Sequence, residues 1–167
     1  MNIREIVSWH PNGLRVQAAL EAAGSSARIV ETIEPSPTAG RAAAQLDIEV
    51  GQVANSLLFE ADGEPLLILA SGAHRVDTDR VAADLGVAAL RRPGPDFVRE
   101  HTGQPIGGVA PLGHPEPVRT VVDTALAAWP VVWAAGGHPR YVFPTTFEEL
   151  VRITGGTALA VGAAEGV

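Results

Sequence analysis

The chain has 167 residues with 12 basic and 19 acidic side chains, a formal net charge of −7, 46% hydrophobic and 19% charged residues, and no cysteine. This balance predicts one globular domain over residues 1–167 and excludes disulfides, thiolate metal sites and a cysteine nucleophile. The acidic charge weighs against a protein that coats DNA or RNA through its phosphates, and the lack of any apolar run near the roughly 18 residues of a membrane span, or of a signal-peptide layout, predicts a cytoplasmic protein without a membrane partner.

Pro11 to Ala23 carries Leu14, Ala18 and Leu20 at helical spacing and is closed by Gly24. A short extended run over Ala27 to Ile33 follows. After the breakers Pro35 and Pro37, Thr38 is placed to cap a second helix. Val53 to Phe59 and Pro65 to Leu69 flank Asp62-Gly63, a hairpin signal that predicts a central antiparallel pair. Asp77 caps a helix bearing Val81, Ala82 and Leu85 that ends at Gly86. "PDFVREHTG" reads as another short helix. Val118 to Val122, Val131 to Ala135 and Tyr141 to Phe143 read as strands. "TTFEELVRITGG" is a helix capped by Thr145 or Thr146, with Glu148 and Glu149 in its first turn, where they suit the helix dipole. "TALAV" makes a last strand. Strands and helices alternate irregularly with hairpins among them, so the expected class is α+β.

The stretch "TGQPIGGVAPLGH", Thr102 to His114, holds four glycines and two prolines in thirteen residues. It is neither a P-loop, which needs Lys and Ser or Thr after its last glycine, nor a G-x-G-x-x-G dinucleotide turn. Histidines 10, 74, 101, 114 and 138 show no H-x-H, H-x-x-x-H or H-E-x-x-H spacing, and no G-x-S-x-G occurs. No metal, cofactor or nucleophile elbow is therefore expected. His114 and His138, each followed by proline and beside a glycine-containing loop, are candidates for a polar contact or proton transfer, or for a plain hydrogen bond to backbone.

The segment "TGQPIGGVAPLG", followed by "RTVVD" and "VWAAGGHPRYVF", resembles the YbaK/ProX family of aminoacyl-tRNA deacylases, related to the editing domain of bacterial prolyl-tRNA synthetases. "TAGRAAAQLDIEVGQVANSLLF" and "PLLILASGAHRVDTDRVAADLG" fall in the family's order, and the match covers Thr38 to Val161. The resemblance implies a curved, mainly antiparallel mixed sheet, barrel-like and flanked by helices. It also implies a free-standing trans-editing factor that hydrolyses the ester of mischarged tRNA without a metal, cofactor or protein nucleophile. Its partner would be the acceptor end of aminoacyl-tRNA, with a synthetase or elongation factor as a further partner and no DNA.

By the same resemblance, Gly107, Gly108, Val109, Ala110 and Pro111 form a loop whose amides hold the scissile carbonyl. Ester hydrolysis builds charge on that oxygen, and preorganised N–H donors stabilise it. The attacking water would be activated by the 2′-hydroxyl of the terminal ribose. Gly136, Gly137 and His138 match a second pocket wall, and Asp123 a recurrent family acid that orients a loop, binds the substrate's amino group or caps a strand end.

Where the family carries a lysine on the strand "NSLLF", this chain has Asn55, and all 12 of its basic residues are arginine. An amide cannot supply a charge-assisted phosphate contact. Arg75 and Arg140 are the candidate replacements, with a solvated surface role as the alternative for each. Strand alternation puts Asn55 and Ser56 on opposite faces, so Ser56 is expected to face away from a pocket that Asn55 contacts. The loss of the lysine also sustains a different reading, a non-catalytic module that binds an aminoacyl or nucleotide ligand. Hydrolysis of a small ester unrelated to tRNA is a third. The edited amino acid and the oligomeric state are not encoded in any pattern of the chain.

Overall fold

The structure is a computed structural model that describes residues 1–163; the last four residues of the expected 1–167 domain lie outside them. Among the described residues, nine strands and five α-helices follow in the order β1 (Ile3–Arg4), α1 (Pro11–Ala22), β2 (Val30–Thr32), α2 (Ala39–Leu46), β3 (Val53–Ala61), β4 (Glu64–Ser71), α3 (Thr78–Leu85), β5 (Leu90–Arg91), α4 (Pro95–Thr102), β6 (Arg119–Asp123), β7 (Val132–Ala135), β8 (Tyr141–Thr145), α5 (Phe147–Thr154) and β9 (Thr157–Leu159). The α+β expectation holds. Among the described residues five of the eight strand pairings are antiparallel and three parallel, and the strand path β1-β2-β8-β7-β3-β4-β6-β9 runs from edge to edge without closing.

Local chemistry sets the element ends. Thr38, Asp77 and Thr146 each accept a backbone N–H three residues on, from Arg41, Arg80 and Glu149. These bonds satisfy donors that a helix start leaves orphaned. The hairpin between β3 and β4 turns through Asp62 and Gly63 at φ of 51° and 84°, the paired left-handed conformation of a type I′ turn.

The sheet is packed on both faces. On one, Val16 and Leu20 of α1, Val98 of α4, Leu150 of α5 and loop residues Val109 and Ala110 bury Ala54, Leu58, Leu67, Leu69 and Phe143. On the other, Val81 of α3 covers Phe59, Ala61, Leu66, Ile68 and Val121. Ala42 and Ala43 of α2 pack on Val53. Period-two alternation along β3 thus sends Ala54, Ser56 and Leu58 toward the glycine-rich loop, and Val53, Asn55, Leu57 and Phe59 toward α2 and α3.

One topological detail positions the site. β7 pairs with β3 at Val53 and Ala54, whereas β5 pairs with it at Glu60 and Ala61. The opposite edge is occupied throughout by β4, and Gly72, directly after it, donates its N–H to Val53 O. The antiparallel ladder alternates, so the backbone groups of Ser56 and Leu58 turn away from β4 and into the gap between β7 and β5.

Candidate functional site

A cavity of about 250 Å³ occupies that gap. Its floor is β3 from Val53 to Leu58; Pro37 and Ala42 close one side, Ile106, Gly107 and Val109 another, and Trp133 and Tyr141 a third. Arg92 and Pro93, directly after β5, stand at the remaining side. No Asp, Glu or His lines it, so Arg92 carries the one formal charge among the described lining residues.

The glycine-rich loop is shaped from beneath. Pro105 O accepts from Gly108 N–H at 3.0 Å, a tight turn with Gly107 at φ 88°. Buried Gln104 accepts from Ala110 N–H through Oε1 at 2.7 Å, while Thr102 Oγ1 accepts from Gln104 N–H at 3.1 Å. Nε2–H of His114 donates to Ala110 O at 2.8 Å. Two loop amides are thereby satisfied internally. The N–H groups of Gly107 and Val109 have no hydrogen-bond partner among the described residues, and both residues line the cavity. Each is a backbone donor left without an internal acceptor.

The loop is pressed against two other segments. A Cβ on Gly107 would fall 3.0 Å from Pro37 Cβ, and one on Gly108 would fall 2.8 Å from the His138 carbonyl carbon. Here glycine is required by contact as well as by conformation.

The sequence model of the aminoacyl-tRNA editing domain matches residues 33–153. The chain belongs to this family. It is similar to the uncharacterized protein YwhH of Bacillus subtilis, 30% identical over 123 residues that cover 73% of this chain and 78% of the relative. It is also similar to a proline–tRNA ligase of Geobacter, 34% identical over 84 residues, half of this chain but 15% of the ligase. A crystal structure of a protein proposed to be a trans-editing enzyme for prolyl tRNA synthetase superposes with a TM-score of 0.88 at 39% identity, covering 94% of this chain and all of that one.

Within the editing domain, the expected site residues divide. Gly107, Val109 and Asn55 line the cavity; Gly108, Ala110 and Pro111 do not, and the Gly108 and Ala110 amides are already engaged. Asn55 reaches the cavity from the α2 face and makes no side-chain hydrogen bond among the described residues. Ser56 lines it as well, from the opposite face, with its Oγ buried and unpartnered. The two side chains stand on opposite faces of β3, as alternation requires, and with its hydroxyl inaccessible Ser56 borders the cavity at a break in the sheet, where β3 backbone is uncovered.

Gly136, Gly137 and His138 stand behind the cavity wall. Gly136 abuts Ile29 and Tyr141, and Gly137 the main chain of Asn12, whose Nδ2 donates to Gly137 O. His138 Nδ1 accepts from Arg140 N–H at 3.1 Å, and its ring lies 5.2 Å from that of His10. Burial, then the His10 and Arg140 charges, pull its pKa below the usual imidazole value, against an opposing pull from Glu31. His114 is held below it by burial, partly offset by its bond to Ala110.

Asp123 is 1% exposed; Oδ2 accepts from Ser71 N–H and Oδ1 from Ala125 N–H, ending β6 as a cap. Its Oδ2 also lies 3.6 Å from His74 Nδ1, so Asp123 ties the segment after β4 to the end of β6 as well as capping it. Arg75 is exposed outside the lining, and Arg140 donates to Ile33 O. Neither lines the cavity. Arg92 and Tyr141, which line the cavity, and Gln104, which braces the loop beside it, are the residues that the sequence did not single out. Arg92 had one signal, its place between an arginine and a Pro-Gly break; the others had none outside the fold. Among the described residues no three His, Asp or Glu side chains gather as metal ligands.

Proposed function

We propose that this editing domain hydrolyses, in trans, the ester that joins a wrongly attached amino acid to the 3′ end of tRNA. Water adds to the ester carbonyl carbon, the carbonyl oxygen takes up the negative charge, and collapse breaks the bond to the ribose oxygen, which leaves with a proton. The products are free amino acid and uncharged tRNA. The N–H groups of Gly107 and Val109 receive the developing oxyanion. The 2′-hydroxyl of the terminal ribose orients and activates the water, which fits a cavity whose described lining contains no His, Asp or Glu. Apolar walls at Ala42, Leu46 and Trp133 exclude bulk water, so each donor counts for more than it would in solvent.

The observation that carries this reading is the pair of unengaged loop amides at Gly107 and Val109, on residues that line a cavity of about 250 Å³ in a chain of the editing family. The test is single-turnover deacylation of tRNAs charged with Ala, Ser, Thr, Cys and Pro, for the protein as it stands, Gly107→Ala and Asn55→Lys. Selective hydrolysis that Gly107→Ala abolishes is the expected result. Silence across the panel, broken only by Asn55→Lys, would establish instead a module that binds its ligand without turning it over.

A further inference from the structure

The cavity holds a single cation and no described carboxylate in a chain whose net charge is −7. Arg92 follows β5, the strand that pairs with Glu60 and Ala61, and its guanidinium carbon lies 5.1 Å from the centroid of the Phe59 ring. Phe59, Leu57 and Asn55 share one face of β3, so Arg92 is delivered to the face on which Asn55 stands, from the far end of the gap. The described ion pairs employ Arg4, Arg28, Arg80, Arg99 and Arg152, and Arg92 has neither a carboxylate nor a hydrogen-bond partner among the described residues. An arginine stacked on an aromatic ring keeps its planar fork free to grip an anion. Partial burial pushes its pKa down from the usual guanidinium value, the direction expected when a cation is left without its counter-ion.

The substrate chemistry restricts what that anion can be. An aminoacyl ester has no free carboxylate; it has an ammonium group, and its nearest anion is the phosphodiester on the 5′ side of the terminal nucleoside. We propose that Arg92 binds that phosphodiester and so fixes the direction of the substrate, with the nucleotide at the β5 end of the gap and the ester at the Gly107 end. This rests on the functional reading above. Repulsion between Arg92 and the substrate's ammonium disfavours the reversed pose. The position vacated by the family lysine, which this chain fills with Asn55, is thus served by a cation from a different element, and the charge-assisted contact is restored.

The deciding experiment compares the unaltered protein with Arg92→Ala and Arg92→Lys on mischarged tRNA and on the same amino acid esterified to adenosine, which has no phosphate. On tRNA, Arg92→Ala should raise KM about tenfold or more with kcat nearly unchanged, Arg92→Lys should recover part of the loss, and the salt dependence of log K should become shallower by about 0.7. On aminoacyl-adenosine, the proteins should be equal. An unchanged KM on tRNA, or an equal loss on both substrates, overturns the assignment. If the unaltered protein deacylates nothing, the functional reading fails by itself. Titration with the trinucleotide CCA and with adenosine then decides Arg92: trimer affinity that falls with salt and is lost in Arg92→Ala upholds it, and equal affinities overturn it.

Discussion

Gly108 and His138 are in backbone contact: a methyl group on Gly108 would lie 2.8 Å from the His138 carbonyl carbon and 3.0 Å from its Cα. The glycine-rich loop therefore rests directly on the turn between β7 and β8, and neither can yield by rotating a side chain. Gly108→Ala should force the two segments apart, at a cost of about 1–3 kcal/mol. Deacylation should fall at least tenfold, with a lower melting temperature.

Gly107→Ala acts by a different route. At φ 88° an alanine is strained by about 1–2 kcal/mol, and its methyl meets Pro37 at 3.0 Å. The expected outcome is a folded protein with a displaced Gly107 amide. It should show a loss of single-turnover rate larger than any loss of tRNA affinity, measured on the same preparation.

Gln104 tests whether the loop is preorganised by its supports. Gln104→Ala leaves Ala110 N–H without its acceptor in a buried setting, at about 1–3 kcal/mol. Activity should drop along with stability, although Gln104 is absent from the cavity lining. A melt of unchanged midpoint would show that the bond contributes nothing.

Asp123 should behave oppositely. Asp123→Ala strips acceptors from Ser71 N–H and Ala125 N–H, at about 1–3 kcal/mol for each donor left buried. Denaturant unfolding should report that loss while the rate per folded molecule stays constant, because Asp123 lies outside the cavity lining.

Acid should weaken the fold through its histidines. The pKa values of His114 and His138 are depressed in the folded chain, so the unfolded chain binds more protons once the pH drops below the ordinary imidazole value of about 6.5. Their contribution is complete above that pH and is lost progressively below it, toward the depressed values. Melting temperatures between about pH 7 and pH 5 should fall less steeply for His114→Gln, whose amide N–H can still reach Ala110 O and which has no proton to gain.

Local features of the sequence determined most of the secondary structure. Thr38, Asp77 and Thr146 cap helices, and Asp62-Gly63 turns the hairpin, because capping and turn chemistry act over three or four residues and need no distant partner. The two-residue strands Ile3–Arg4 and Leu90–Arg91 escaped notice, since a pair of residues has no period to read. The glycine-rich loop was legible as a motif. Which of its amides remain free was not, because that depends on Pro105 and Gln104 engaging two of them. The cavity itself was decided by tertiary pairing alone: β7 and β5, separated in sequence by α4 and β6, take opposite ends of the same edge of β3. That break puts Asn55 and Ser56 around one space from opposite faces, brings Arg92 to its mouth, and leaves Asp123, Arg75 and Arg140 outside. Side-chain periodicity fixes the face to which a residue points, and strand pairing fixes whether that face is covered.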